Sequence, residues 1–277
     1  MRVWDGVLSR LLRVGESPVL VRAWEPGRGR LSLRAEPVDP GALATPRAVP
    51  PAPDRTAGPA QLRLAIERMR FALGVDDDLG EFYRRFRRDP LLGPLLRQRP
   101  WLRPRRRPWA WEALAWAVVK QLIETERAAV IQRRIVGRWG ARLGRDRGTL
   151  RDVPGPETIA GRAPAELAAM DLSPSRSLAL RAVAREIAAG RCDPADPAAD
   201  RRLLAVPEIG PWTVQCLGLF GRGDPDALPA GDLIYLKLVG RLARLGRRAS
   251  VEEVEEFYAP YEPFRGLAGL WTIGLYR

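Results

Sequence analysis

The sequence predicts a mostly α protein: a two-lobed helical core carrying a small α+β N-terminal domain. Three observations carry this reading. From Trp109 onward, apolar residues recur at helical spacing between short Gly/Pro turns. Near the N-terminus, residues 18–24 and 31–38 read as two strands around Glu25-Pro-Gly-Arg-Gly-Arg30, a hairpin pattern. Residues 37–59 are rich in Pro and Ala and read as a linker or an irregular crossing. The chain therefore divides into residues 1–60, the β-containing domain with its linker, and residues 61–277, the helical core.

Helical texture begins near Gln61, with Leu62, Ile66, Met69 and Leu73 along one face. Gly74-Val-Asp-Asp-Asp78 ends that helix, and 79–86 begins another. Residues 83–107 hold ten arginines and a single acid, Asp89, with Trp101 interleaved. They suit a phosphate backbone or a solvated basic linker broken by Pro100, Pro104 and Pro108. Further helices are expected at 109–143, 156–160, 164–170, 174–189, 200–206, 211–220, 233–245, 251–258 and 263–276. No internal repeat is present.

Composition narrows the function. Against 33 acidic residues stand 46 basic ones, a net charge of +13, which favours polyanionic partners. All but Lys120 and Lys237 of the basic residues are arginine, and that bias is also what a GC-rich coding sequence leaves behind. The chain contains no histidine, which excludes common zinc sites and histidine-based acid–base catalysis. Two cysteines, Cys192 and Cys216, cannot supply a four-cysteine iron–sulfur site. No apolar run approaches the roughly 18 residues a membrane span requires. A monomer without cofactor in the bacterial cytoplasm, used at the nucleoid, is the simplest expectation.

The most informative stretch is 203–241. Leu203, Leu204 and Val206 precede Pro207-Glu208-Ile209-Gly210-Pro211, and Val214 and Leu217 follow it, so two helices with buried sides flank a hairpin. Gly210 suits a tight turn and Pro211 the first position of the second helix. Backbone N–H groups at such a helix start can hold a phosphate. Twenty-two residues beyond Gly210, Asp232 stands between Gly231 and another apolar helix. A phosphate grip followed by one carboxylate at a helix start points to chemistry on nucleic acid.

Residues 204–214 resemble the helix-hairpin-helix of base-excision DNA glycosylases, and Pro229-Ala230-Gly231-Asp232-Leu233 resembles the Gly/Pro-rich loop with aspartate that completes the signature of this HhH-GPD superfamily. The branch it resembles most is the bacterial 3-methyladenine DNA glycosylase II type. Residues 116–135, with Lys120-Gln121-Leu122-Ile123 at their centre, look like that branch's Gln-Leu segment. The resemblance implies a cleft between two helical lobes, double-stranded DNA with damaged bases as partner, and hydrolysis of the N-glycosidic bond of alkylated purines. It also implies that Glu208, Gly210, Trp212 and Thr213 hold a phosphate through backbone amides. The carbonyls of Leu204, Val206 and Ile209 are then where a structural Na+ or K+ would sit.

Each candidate has a competing role. Asp232 is the expected catalytic carboxylate, stabilising the sugar cation and orienting water; equally, it is a good N-cap. Trp212 takes the place where, by resemblance, lyase-capable members carry a Schiff-base lysine, so a water-using enzyme without lyase activity is expected. Its indole suits stacking on an electron-poor base or ordinary packing. Leu122, beside Gln121, matches the wedge that enters the base stack, but it also extends a buried stripe of Leu114, Val118 and Ile131. Tyr235 and Trp271, with Cys216 where the family commonly has an aromatic, complete the expected base pocket; Phe264 is a further aromatic candidate. The competing class is a non-catalytic, lesion-sensing DNA-binding protein, and a more distant one an RNA-binding helical protein.

Overall fold

The computed structural model describes residues 2–44, 56–145 and 148–275. Much of the expected Pro/Ala-rich linker, residues 45–55, lies outside the described residues, as does Tyr276 at the end of the last expected helix. In chain order the elements are β1 (Arg2–Trp4), β2 (Val7–Val14), β3 (Ser17–Gly27), β4 (Arg30–Pro37), β5 (Leu43–Ala44), α1 (Pro59–Leu73), α2 (Gly80–Phe86), α3 (Leu92–Gln98), α4 (Ala110–Lys120) and α5 (Thr125–Trp139). A ribbon follows, β6 (Arg142–Arg145) and β7 (Gly148–Arg151), and then α6 (Pro156–Ala160), α7 (Pro164–Ala168), α8 (Pro174–Ala188), α9 (Asp200–Leu204), α10 (Pro211–Leu217), α11 (Leu233–Leu242), α12 (Val251–Tyr258) and α13 (Arg265–Thr272). The architecture is mostly α with small sheets, as expected.

The first compact unit comprises residues 1–70 and 119–192. Its antiparallel sheet has the order β1-β2-β3-β4. The expected strands 18–24 and 31–38 are β3 and β4, while β1 and β2 were not anticipated. Their turn is Asp5-Gly6, with φ of 47° and 73°, the conformation that makes two-residue hairpins follow the strand twist. A second sheet, β5-β6-β7, joins this region, and Leu143 and Leu150 pack into one small core with Leu11, Leu20 and Val38. The single helix expected at 109–143 is three things: α4, α5 after a turn at 121–124, and β6. Gly140 ends α5 because a Cβ there would collide with the carbonyls of Asp152 and Val136.

The second unit comprises residues 71–118 and 193–277. Its core is aromatic: Phe82 packs on Phe86, Phe264 and Trp271 at ring separations of 5.4, 5.7 and 5.3 Å. Around them lie Leu92, Leu96, Tyr235, Val239, Val254 and Tyr258. Burial pushes the Tyr258 phenol up to about 12, against the opposing hydrogen bond with Thr272, so it stays protonated and shares a 2.6 Å bond with the Thr272 hydroxyl. The arginine-rich stretch is no simple linker. Its apolar residues enter this core, while Arg84, Arg85, Arg87, Arg88 and Arg97 point outward. Arg106 is drawn inward, bonded to Asp77 at 2.7 Å and stacked over Phe71 at 5.0 Å.

Phe82 is fully buried at the centre of this cluster, so Phe82→Ala leaves a cavity that rigid neighbours cannot fill. The variant is expected to lose about 3–5 kcal/mol of unfolding free energy, read as a lower urea midpoint at unchanged m-value.

Candidate active site and nucleic-acid interface

The hairpin forms as its residues dictate, with one correction. Val206 N–H donates to Leu203 O at 3.0 Å, and Ile209 N–H to Val206 O at 3.1 Å, closing two tight turns. The residue in the left-handed conformation is Glu208, at φ 69°, not Gly210. Gly210 is the N-cap of α10 in extended conformation, φ −105° and ψ 178°, with Pro211 at the first helical position. A Cβ there would meet nothing within 4 Å, so the backbone is open on that side. Val206 and Ile209 are buried and anchor the hairpin, leaving Pro207 and Glu208 exposed at its tip; Leu204 is also exposed. Thr213 is buried, its N–H on Gly210 O at 3.0 Å.

Asp232 is the N-cap of α11. Its carboxylate accepts from Ile234 N–H at 3.2 Å, and its carbonyl accepts from Tyr235 and Leu236 N–H at 2.9 and 3.1 Å. The loop before it is pinned: Leu228 and Ala230 are buried, Ala230 N–H donates to Leu228 O, and Asp232 N–H donates to Pro229 O, both at 2.8 Å. The capping role is therefore real, and it holds the half-buried carboxylate in one place.

Trp212 lies beside Gly231, the residue before Asp232. The position a Cβ would take on exposed Gly231 is 3.7 Å from Trp212 Cδ1 and 3.8 Å from its Cβ, so the indole forms a wall one residue before Asp232. Its Nε1 is buried and has no hydrogen-bond partner among the described residues, an unusual cost for packing alone. Tyr235 is fully buried; burial first, then the negative fields of Tyr258, Asp232 and Cys216, push its phenol well above the ordinary range. The structure thus brings Asp232, Trp212, Tyr235 and Cys216 together. Trp271 stands deeper, in the aromatic core against Phe82 and Tyr83, and Phe264 sits in the same cluster.

Gln121 and Leu122 occupy the turn between α4 and α5, in the first unit. The alternative of a continuous buried stripe fails: Leu114, Val118 and Ile131 are fully buried, whereas Leu122 is 103% exposed, at φ 57°. An apolar side chain held wholly in water on a left-handed backbone carries two costs at once. The turn is fixed from below. Buried Arg176 donates to Val119 O at 2.9 Å, just before the turn, and Ser173 orients it through a 2.9 Å bond to Nε. This positioning role of Arg176 had no sequence signal.

No family model matches the chain. In sequence it is 31% identical over 180 residues to a probable bifunctional transcriptional activator/DNA repair enzyme AlkA of Mycobacterium tuberculosis, covering 62% of this chain and 35% of that one. It is 26% identical over 185 residues to a DNA-3-methyladenine glycosylase of Bacillus subtilis, covering 65% of this chain and 61% of that one. The chain therefore spans about a third of the length of the first relative and less than two thirds of the second. In structure it is similar to the 3-methyladenine DNA-glycosylase from Archaeoglobus fulgidus, with TM-score 0.76 and 19% identity over 99% of this chain and 88% of that one. The fold is thus that of the Archaeoglobus fulgidus enzyme, and over 180–185 residues the sequence is similar to the two relatives named above.

Leu122→Gly removes both costs at its turn. It is expected to raise the stability of the free protein by up to about 1 kcal/mol, seen as a higher melting temperature; a lower one would mean that the side chain packs on its own protein.

Proposed function

We propose that the protein is a monofunctional DNA glycosylase that removes alkylated purines, of the 3-methyladenine kind, from duplex DNA in base excision repair. The observation that carries this is the pinned, half-buried Asp232 carboxylate, with the indole of Trp212 against the glycine that precedes it. Breaking an N-glycosidic bond develops positive charge on the sugar, and a fixed carboxylate stabilises that charge and orients the attacking water. An alkylated purine is already cationic and leaves without a proton donor, so a chain lacking histidine loses nothing by it. The electron-rich face of Trp212 suits such a base once it is flipped out of the stack.

The open backbone at Gly210, with the amides that begin α10, takes a phosphate, and the carbonyls of Leu204, Val206 and Ile209 suit a Na+ or K+ ion behind it. Leu122 enters the duplex, where its exposed side chain gains the apolar contact it lacks in the free protein. Among the described residues no helix is long and apolar enough to cross a membrane, and no group of three or more Cys, Asp or Glu could hold a metal ion. From its two cysteines and its lack of histidine we read the protein as a monomer working on bacterial DNA with no iron–sulfur cluster or other cofactor beyond the alkali ion at the hairpin.

Asp232→Asn keeps the shape and the cap but removes the charge. Free base released from methylated duplex should fall by at least about 100-fold, with affinity for abasic-site DNA retained. Near-normal release would return Asp232 to capping alone.

With Trp212 in the lysine position, no amine stands on the hairpin to attack the sugar. Borohydride added during turnover should trap no covalent protein–DNA adduct, and the product strand should break only on later alkali treatment. Efficient trapping through Lys120 or Lys237 would make the enzyme a lyase.

A further inference from the structure

We propose that the far end of α11 and the loop after it form a second, sequence-independent grip on the phosphodiester backbone of duplex DNA, separate from the hairpin. Residues 233–248 contain five cations, Lys237, Arg241, Arg244, Arg247 and Arg248, and no carboxylate. Lys237 and Arg241 are four residues apart and share one side of α11, across the helix from buried Tyr235 and Val239.

The fold gathers the other three onto that side. Arg244 adopts φ 55° and Gly246 φ 69°, which turns the chain back on itself, and Leu245 N–H closes the turn on Gly240 O at 2.9 Å. Gly240 lets the returning strand lie directly on α11: a Cβ there would run into Arg247 O, with Ala249 N 3.0 Å away. Ala249 N–H then donates to Leu236 O at 2.9 Å and locks the arrangement. The result is a hollow of about 380 Å³ lined by the five cations, with Gly240 and Gly246 as the remaining lining residues.

Arg99 extends the surface. Its guanidinium lies against Gly274, where a Cβ would collide with it, and Arg241 Nη2 donates to the next carbonyl, Leu275 O, at 2.6 Å. Glu253 holds Arg247 through two bonds of 2.8 and 2.7 Å, which orients that guanidinium while neutralising it.

Duplex DNA fits this surface better than a lipid headgroup layer does. The hollow is shallow and open, and it has no large apolar side chain to insert below headgroups. Four of its five cations are arginines, whose planar forks match phosphate oxygens. Lys237 and Arg241 stand roughly 7–8 and 13–14 Å along the helix from Asp232. At one phosphate per roughly 3.4 Å of each strand, that is the reach of a few nucleotides. This placement rests on the reading of Asp232 as the point where the damaged nucleotide is held.

The test is a triple variant, Lys237→Gln, Arg244→Asn and Arg248→Gln, which leaves the Arg241–Leu275 and Arg247–Glu253 contacts in place; asparagine tolerates the left-handed backbone at 244. Its control removes three exposed cations of the other unit, Arg28→Gln, Arg30→Gln and Arg133→Gln. Both are titrated with an undamaged 30-base-pair duplex across a salt series, after circular dichroism has confirmed that each folds. The triple variant should lose affinity at every sequence tried, and the slope of log K against log salt should flatten by about 2–3, with a smaller change in the control. Equal slopes for the two variants overturn the proposal. So does unchanged duplex binding with lost binding to phosphatidylserine vesicles, which would assign the surface to a membrane. Undamaged DNA has no base to release, so a failure of the glycosylase reading shows in the base-release assay and not here.

Discussion

The loop that ends at Asp232 depends on one hydrogen-bonding constraint. The start of α11 leaves backbone N–H groups without helical partners, and the carboxylate satisfies one of them at Ile234. The same bond immobilises a negative charge beside an exposed glycine and an indole. Burial of Leu228 and Ala230 on one side, and of Tyr235, Leu238 and Val239 on the other, leaves the carboxylate little freedom to move. In the proposed reading, capping and catalysis are one arrangement seen twice. Fixing the carboxylate in advance is what electrostatic catalysis requires, because a preorganised charge needs no rearrangement as the sugar cation develops.

Elsewhere too, in each unit, the chain places strained and costly features at its surface. Glu208 and Leu122 both take positive φ without being glycine. Each sits at the tip of a turn whose flanks are buried: Val206 and Ile209 under the hairpin, Val119 and Ala128 beside the Gln121–Leu122 turn. The rigid flanks supply the energy that keeps the tips in unfavourable conformations. The buried Arg176 works the same way, since burial lowers its pKa first and the nearby Arg127 adds to that, with Asp171 opposing both. Such a group is kept by what it holds, here the last turn of α4.

How much of this was legible follows from the kind of signal each feature leaves. The hairpin, Asp232 and the helical core could be read because Pro211, Gly231 and the apolar spacing are local and directional. The strands β1 and β2 were missed although Asp5-Gly6 is a strong hairpin dipeptide. Val7-Leu-Ser-Arg-Leu-Leu-Arg-Val14 does not alternate cleanly, and its central residues Leu11 and Leu12 are both buried. The expected helix 109–143 failed at two places for different reasons. At 121–124 nothing in Gln-Leu-Ile-Glu breaks a helix, and only tertiary contacts such as Arg176 on Val119 stop it there. At Gly140 the break is steric, set by the carbonyl of Asp152, which no local pattern reveals. Gly210 reads as the residue that suits the tight turn, whereas the left-handed position of the hairpin falls on Glu208 and Gly210 is extended, with an uncovered backbone.

Charge illustrates the gap between composition and arrangement. A net charge of +13 is consistent with DNA binding and equally with an arginine-rich codon bias. In the structure many of these arginines serve the fold: Arg106 on Asp77 and Phe71, Arg222 on Asp200, Arg265 on Asp226. What sets the proposed binding surface apart from this background is geometry. Around α11, two glycines bring a returning loop close enough to place five cations about one hollow, where Glu253 holds Arg247. Like charges gathered so closely repel one another, and the fold tolerates that repulsion at a cost which a bound polyanion would relieve. The same logic governs Leu122 and the indole of Trp212, each of which is poorly satisfied in the free protein.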